Sequence, residues 1–125
     1  MSNPNDLKYH DSHTWIKAGA DGIATIGITG HAQEQLGDVV YVQQPAVGSS
    51  VTQGEACGVI ESVKTAADVH APASGVVTEV NAALDDAPES VNADPYAAWL
   101  FRIRLSDAAE LDALLDAAAY EKVLS

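Results

Sequence analysis

A chain of 125 residues, 47% of them apolar, is long enough to bury one hydrophobic core and too short for two independent ones. Its 18 acidic and 6 basic residues give a net charge of −12, which repels the phosphates of nucleic acids and anionic lipids and favours a soluble monomer. Its one cysteine, Cys57, excludes an internal disulfide and fits a reducing compartment. No apolar run reaches the roughly 18 residues of a membrane span, and the N-terminus resembles no targeting peptide. We therefore expect a cytoplasmic protein that binds neither nucleic acid nor membranes.

The first third of the chain predicts a tail, a hairpin and a short helix. Residues 1–6 are polar and predict a flexible tail in front of a single domain over 7–125. The apolar runs TWIKA (14–18) and GIATIGI (22–28) predict two strands, because the glycine-bearing segment between them is a typical hairpin turn. Residues 29–36 favour a helix, which a glycine ends.

Short apolar runs separated by Gly, Pro and Ser fill the rest of the chain. The further predicted strands span 38–44, 47–51, 56–63, 65–72, 75–81 and 98–105. So many short strands at regular spacing indicate a barrel or sandwich. Leucines at helical spacing after Asp107, a candidate N-cap, predict a C-terminal helix that is interrupted near Ala117. The sequence therefore predicts a mostly β fold, a flattened barrel or a sandwich, with a short internal helix and a C-terminal helix.

Lys64 is the only basic residue between Lys17 and Arg102, a span that contains eleven acidic residues. It lies between two apolar runs, where a tight turn would expose its amine to solvent and to a modifying enzyme. Acylation would remove its charge and convert its stem into a flexible tether. Position alone favours the plainer interpretation, a solvated turn residue.

The residues around Lys64 carry a family resemblance that covers the chain from Leu7 onward. The segments that carry it are GITGHAQEQLGDVVYVQQPAVGSSVTQGEACGVIESVKTAADVHAPASGVVTEVN, NADPYAAWLFRIRL and AAAYEKVL. They resemble the H proteins of the glycine cleavage system. The most specific element is ESVK followed by Ala-x-Asp, since lipoyl domains of 2-oxoacid dehydrogenases usually have Asp-Lys-Ala and biotin carriers Met-Lys-Met.

The resemblance implies that this mostly β fold is a flattened barrel-sandwich hybrid of the lipoyl- or biotinyl-carrier type, with lipoate covalently attached to Lys64. Glu61, three residues before the lysine, and Gly75, eleven after it, match the positions that lipoylating enzymes read in this family. A lipoate-attaching enzyme is therefore one implied partner. The chain itself is expected to be no enzyme, because the cofactors of its partners supply the chemistry.

The resemblance also implies three enzymatic partners for a glycine cleavage carrier. Lipoyl-lysine would receive the aminomethyl group of glycine in the P protein, the glycine decarboxylase. It would deliver that group to the T protein, the aminomethyltransferase, and be reoxidised by the L protein, the dihydrolipoyl dehydrogenase.

Family members are understood to hold the loaded arm in a cleft, and the matching positions here are Ser12, Thr14 and Asp68. Asp68 would attract the ammonium of the cargo and Ser12 would supply a hydroxyl. The family usually has Glu at the position of Thr14, so we expect weaker protection of the loaded arm. A second departure is Ala98, where Gly commonly precedes the Trp, and it affects the expected shape of the cleft.

Two other function classes remain open from the residues. One is a free-standing lipoyl or biotinyl carrier of another multienzyme complex, and the other is a binding protein whose Lys64 is never modified. A catalytic triad of Asp11, Ser12 and His13 is rejected, because adjacent residues point in different directions. The four histidines lack the spacing of a zinc site, so no metal is expected. Cys57 lies in an apolar run and is expected to be a core residue.

Overall fold

The computed structural model describes residues 6–19 and 21–124. Within them the strands are β1 (Lys8–His10), β2 (Thr14–Ala18), β3 (Ile23–Ile28), β4 (Val39–Gln43), β5 (Ser50–Val51), β6 (Ala56–Ser62), β7 (Ala66–His70), β8 (Gly75–Val80) and β9 (Phe101–Leu105). The helices are α1 (Gly30–Leu36), α2 (Ala83–Asp86), α3 (Ser90–Ala93) and α4 (Ala117–Leu124), with a 3-10 helix over Ala108–Ala113.

The strands form two antiparallel sheets that pack face to face. The larger sheet has six strands in the order β1-β2-β3-β9-β8-β5, and the smaller has three in the order β4-β6-β7. The main core lies between the sheets, where Ile26, Phe101 and Ile103 of the larger sheet belong to one buried cluster with Val42 and Ile60 of the smaller. This arrangement confirms the predicted mostly β sandwich.

Most predicted strands are present with bounds shifted by one or two residues. The largest differences are at 98–105, where β9 begins only at Phe101, and at 47–51, where only Ser50–Val51 pairs. The strand β1 and the helices α2 and α3 were not predicted. Each has three or four residues, too few to show a period of two or of 3.6 residues in the sequence.

The internal helix forms where the sequence predicted it. The Thr29 hydroxyl caps α1 by accepting a hydrogen bond from the backbone N–H of Ala32 at 3.3 Å. Gly37 follows the helix with φ +77, a conformation that residues with a Cβ rarely adopt.

The predicted C-terminal helix is two helices. The Asp107 carboxylate accepts a hydrogen bond from Ala109 N–H at the start of the 3-10 helix, and Asp116 does the same for Ala119 N–H at the start of α4. Between them Leu115 forms a β-bridge with Tyr9, with both backbone hydrogen bonds at 2.8 Å. The break predicted near Ala117 therefore comes from strand-like pairing, which a continuous helix would exclude.

The α4 helix closes a second, smaller core. Tyr120 is fully buried and its ring stacks on that of Tyr9 with centroids 4.8 Å apart. Residues 1–5 of the predicted tail lie outside the described residues, while the Asp6 carboxylate lies 3.4 Å from Lys17 Nζ. Among the described residues, no helix has the length and hydropathy needed to cross a membrane.

Candidate functional site: the Lys64 turn and its cleft

The two residues Val63 and Lys64 form the tip of the β6–β7 hairpin. Ser62 N–H donates to the Thr65 carbonyl at 2.7 Å, which closes the turn. The Ser62 hydroxyl oxygen also accepts from the backbone N–H groups of Lys64 and Thr65, at 3.4 and 3.1 Å. Lys64 is exposed. The turn is thus held by its own backbone and one serine, which fixes the position of the lysine backbone.

The turn is also tied to the segment that follows α1. Val63 N–H donates to the Asp38 carbonyl at 3.0 Å. The Lys64 stem lies across Gly37, where a Cβ would come within 3.3 Å of Lys64 Cε and 3.7 Å of Nζ. The positive φ of Gly37 disfavours a side chain there, and the absence of one leaves room for the lysine stem to lie close to the backbone. Lys64 takes part in none of the ion pairs found among the described residues.

The side chain of Asn92 in α3 holds the Gly37–Val39 segment that lies next to the turn. Its Nδ2 donates to the Gly37 carbonyl at 2.7 Å, and its Oδ1 accepts from Val39 N–H at 2.8 Å. One side-chain amide thus holds both ends of the Gly37–Val39 segment on which the turn rests. Sequence reasoning missed Asn92, because a single asparagine in a short polar segment shows no periodicity or motif.

A cleft of about 240 Å³ opens beside the turn. Its apolar wall comes from both sheets and from α1 and consists of Ile28, Ala32, Leu36, Ile60, Ala67 and Val69. Thr65, the residue after Lys64, also lines it. A group attached to the lysine would therefore have an apolar recess within immediate reach.

The three residues expected in the cleft, Ser12, Thr14 and Asp68, all line it. Thr14 begins β2 and is only 1% exposed, with its Oγ1 3.5 Å from Ser12 Oγ. Ser12 Oγ also lies 2.6 Å from His10 Nδ1. Asp68 is exposed on β7, an edge strand, so its carboxylate contributes negative charge at the rim. The cleft thus combines two hydroxyls inside with one carboxylate at its edge.

A buried hydrogen-bond network supports the same end of the cleft. The Tyr120 hydroxyl lies 2.6 Å from His13 Nδ1 and 2.8 Å from Thr29 Oγ1. His13 lines the cleft and has φ +69, in the left-handed region. Burial lowers the pKa of His13, and the ring of His31, 4.6 Å away, lowers it further. Sequence reasoning missed this network, because Tyr120 is 107 residues from His13 and only α4 brings them together.

Glu61 and Gly75, predicted to guide lipoylation, lie in different sheets. Glu61 is exposed in β6, opposite Ala66 and Tyr41 in the register. Gly75 is buried at the start of β8, and a Cβ there would overlap the backbone carbonyl of Arg104. The fold therefore requires a glycine at position 75 for packing, independently of any enzyme.

Residues that the sequence suggested for other chemistry have structural partners. In the rejected triad, Ser12 Oγ and Asp11 Oδ1 lie 2.6 and 3.3 Å from His10 Nδ1, whereas His13 Nδ1 lies 2.6 Å from the Tyr120 hydroxyl, so these three residues have other partners. The described residues contain no group of three His, Cys, Asp or Glu side chains placed to hold a metal. Cys57 packs against the main core, and burial raises its pKa to about 11.

The second departure from the family, Ala98, lies away from the cleft. It is buried before β9, where its N–H donates to the Asp94 carbonyl at 2.9 Å. Ala98 is not among the residues that line the cleft. The expected effect of Ala98 on the shape of the cleft is therefore not supported by a contact in the structure.

Comparisons with known proteins agree with this architecture. The family model "Glycine cleavage H-protein" matches residues 7–125. The chain is 58% identical to the glycine cleavage system H protein of Nitrosospira multiformis, covering 99% of this chain and 96% of the relative. It is 56% identical to that of Thiobacillus denitrificans, with the same coverage of both chains. The crystal structure of a glycine cleavage system H protein from Mycobacterium marinum matches with a TM-score of 0.87 and 44% identity, covering 96% of this chain and 97% of that one. With a match over nearly its whole length in both sequence and structure, the chain belongs to the glycine cleavage H-protein family.

Proposed function

We propose that this chain is the lipoyl carrier of the glycine cleavage system, with lipoate attached to Lys64. It visits the P, T and L proteins in turn and catalyses no step by itself. The observation that carries the proposal is the exposed Lys64 at the tip of a hydrogen-bonded hairpin, directly beside a cleft. Family membership supports the identity of the cofactor.

The residues around Lys64 fit a lipoyl group. Lys64 is exposed, as amide formation by another enzyme requires. The neighbouring cleft is lined mainly by aliphatic side chains that suit a hydrocarbon chain, and Ser12, Thr14 and Asp68 provide polar groups for the far end. Thr65, the residue after Lys64, already lines this cleft.

When bound, the lipoyl group supplies a disulfide that can take up the aminomethyl group of glycine and release it again. The chain contributes position and shelter. The Ser62–Thr65 turn keeps the attachment point fixed relative to the body, which raises the effective concentration of the arm at each docked partner. In the cleft, Asp68 attracts a cationic cargo and Ser12 can accept a hydrogen bond from it.

Other parts of the functional prediction stay proposals. These are a monomeric state, a cytoplasmic location and reading of Glu61 and Gly75 by the lipoate-attaching enzyme. The exposed Glu61 is available for such contact, whereas the buried Gly75 would act through the backbone shape that it permits.

The modification is tested by expressing the chain with a lipoylation system and measuring its intact mass. We expect one lipoyl increment in the wild type and in Lys17→Arg, and none in Lys64→Arg, because arginine keeps the charge but cannot form the amide. A biotin increment would support the alternative carrier, and an unmodified wild type would contradict both carrier functions.

The assignment to glycine cleavage is tested with the lipoylated chain and P protein. Glycine–bicarbonate exchange should require lipoylated chain and be absent with Lys64→Arg. Lipoylation without exchange would point instead to a carrier for another complex.

The role of the cleft is tested at the position that departs from the family. Thr14 is almost fully buried beside Ser12, so a carboxylate placed there would have few partners other than a cationic cargo. We expect Thr14→Glu to slow the spontaneous loss of the aminomethyl group and to destabilise the unloaded chain. An unchanged decay rate would refute a protective role at this position.

A further inference from the structure

Three large apolar side chains are exposed close to Lys64. Val40, Tyr41 and Val63 are 52%, 49% and 69% exposed, and they make up half of the six large apolar side chains exposed in the described part of the chain. We call these three residues the turn patch. The other three, Val47, Val76 and Val123, lie outside the β4–β6–β7 sheet.

The turn patch results from a β-bulge. In a regular strand successive side chains point to opposite faces of the sheet. When one face lies against the core, one of any two consecutive side chains is therefore buried. The register of β4 against β6 shifts between Val39 and Tyr41. Because of this bulge Val39 and Val42 are buried while both residues between them are exposed. The backbone itself therefore presents two adjacent apolar side chains.

The register places the turn patch next to the lysine. Tyr41 lies opposite Glu61, and Val39 lies opposite Ser62, the residue that begins the turn. Val63 adjoins Lys64 and hydrogen-bonds to the Asp38 carbonyl, one residue before β4. The patch and Lys64 thus lie at the same end of the smaller sheet.

Acidic side chains border the turn patch. Asp38 and Glu61 are both exposed, and neither takes part in the ion pairs found among the described residues. An apolar centre with an acidic rim is complementary to a partner surface that has an apolar centre and a Lys- or Arg-rich rim. A second copy of this chain is a poor match, since a symmetric dimer would bring the acidic rims together.

We propose that the turn patch is the docking surface for the enzyme that attaches lipoate to Lys64. This inference rests on the proposed function and deepens it. The attaching enzyme must bring its active site to Lys64 Nζ itself, so its surface has to touch the tip of the hairpin. The finished arm extends the reach from Lys64, so partners that use it need not touch the tip itself.

The test measures the kinetics of lipoylation with a purified lipoate-attaching enzyme, lipoate and ATP, followed by intact mass. For Tyr41→Ser we expect KM for the chain to rise about tenfold and for Val63→Thr about threefold, with kcat changed less than about twofold, because interface aromatics carry much of the binding energy. Val47→Thr and Val123→Thr, equally exposed elsewhere, should match the wild type. KM values for the patch variants within the range of these two controls would overturn the proposal.

A non-modifiable competitor separates docking from chemistry. Lys64→Arg retains the turn patch, so it should inhibit lipoylation of the wild type competitively, and the double variant Lys64→Arg with Tyr41→Ser should inhibit about tenfold less well. Equal inhibition by the two would contradict the proposal. If the wild type itself gains no lipoyl group, the proposed function fails, which is a different result from normal lipoylation with an unchanged KM.

The acidic rim is tested by salt. The double variant Asp38→Asn with Glu61→Gln should raise KM at low ionic strength and weaken its dependence on salt. If patch variants instead leave lipoylation unchanged and slow only exchange with P protein, or change only self-association of the chain, the surface serves another occupant and the proposal is wrong.

Discussion

The two sheets of this protein carry different kinds of constraint. The six-stranded sheet contains fully buried residues such as Ile26, Phe101 and Ile103, and its Gly75 approaches the neighbouring backbone too closely for any side chain. The tip of the three-stranded sheet exposes Lys64 and the turn patch and is held by backbone hydrogen bonds together with the side chains of Ser62 and Asn92. Both sheets contribute to the core, but the larger one is constrained mainly by packing, whereas the tip of the smaller one is constrained by what it presents to partners. Substitutions in the first should alter stability, and substitutions at the tip of the second should alter encounters with partners.

The largest effect is expected at Gly75. Gly75→Ala would force a Cβ against the Arg104 carbonyl and should lower the free energy of unfolding by about 3 kcal/mol, measured by urea denaturation. Gly54→Ala is the control, because Gly54 has φ +84 with open space around it, and it should cost only about 1 kcal/mol. Equal losses would show that steric overlap is not the constraint. A recognition role would appear as a further rise in the KM of lipoylation where the variant is folded.

The next effect is at the cleft, where the two sheets meet. Tyr120→Phe removes the hydroxyl that partners His13 and Thr29 and should lower the free energy of unfolding by about 2 kcal/mol, since buried polar atoms lose a partner. Lipoylation of Lys64 should keep its normal KM. The free energy of unfolding is measured by urea denaturation, in which Tyr41→Phe, at an exposed tyrosine, should leave it unchanged. A large lipoylation defect in Tyr120→Phe would contradict the distinction between buried residues that affect stability and tip residues that affect encounters with partners.

A smaller stability effect with a specific functional signature is expected at Asn92. Asn92→Asp keeps the acceptor for Val39 N–H but loses the donor to the Gly37 carbonyl, which should cost about 1 kcal/mol. Because that segment supports the lysine turn, the rate of lipoylation should fall as well. Asn81→Asp is a matched control, since Asn81 donates to the Trp99 carbonyl at 2.8 Å away from the turn. Equal rates of lipoylation in the two variants would show that Asn92 only stabilises the fold.

The smallest effect is a pH dependence through His13. Its pKa is lowered in the folded protein by burial and by His31, so the unfolded chain binds more protons as the pH falls below about 6.5. The contribution of His13 to stability is therefore present above that pH and is lost on acidification. The melting temperature should fall less between pH 7.5 and 5.5 in His13→Gln than in the wild type. Identical pH profiles would contradict this assignment.

The range over which each feature acts along the chain explains which elements and site residues could be predicted from the sequence. Periodic apolar runs predicted the long strands, and helix-favouring residues up to Leu36 followed by Gly37 predicted α1 and its end, because these signals are local. The elements β1, α2 and α3 were too short to show a period. Asn92 and Tyr120 were missed because their importance lies in partners 53 to 107 residues away.

The sequence by itself determined the strand-rich character of the chain, the isolation of Lys64 among acidic residues and the family resemblance around it, because each depends on neighbouring residues along the chain. The resemblance gave the expectation that Ser12, Thr14 and Asp68 share a cleft, and the tertiary structure placed an aliphatic wall from both sheets and α1 around them, next to the lysine turn. The tertiary structure alone decided that Gly75 is required by packing and that a bulge exposes Val40 and Tyr41 together. These features depend on strand register and on the contact of distant segments, which no local pattern encodes.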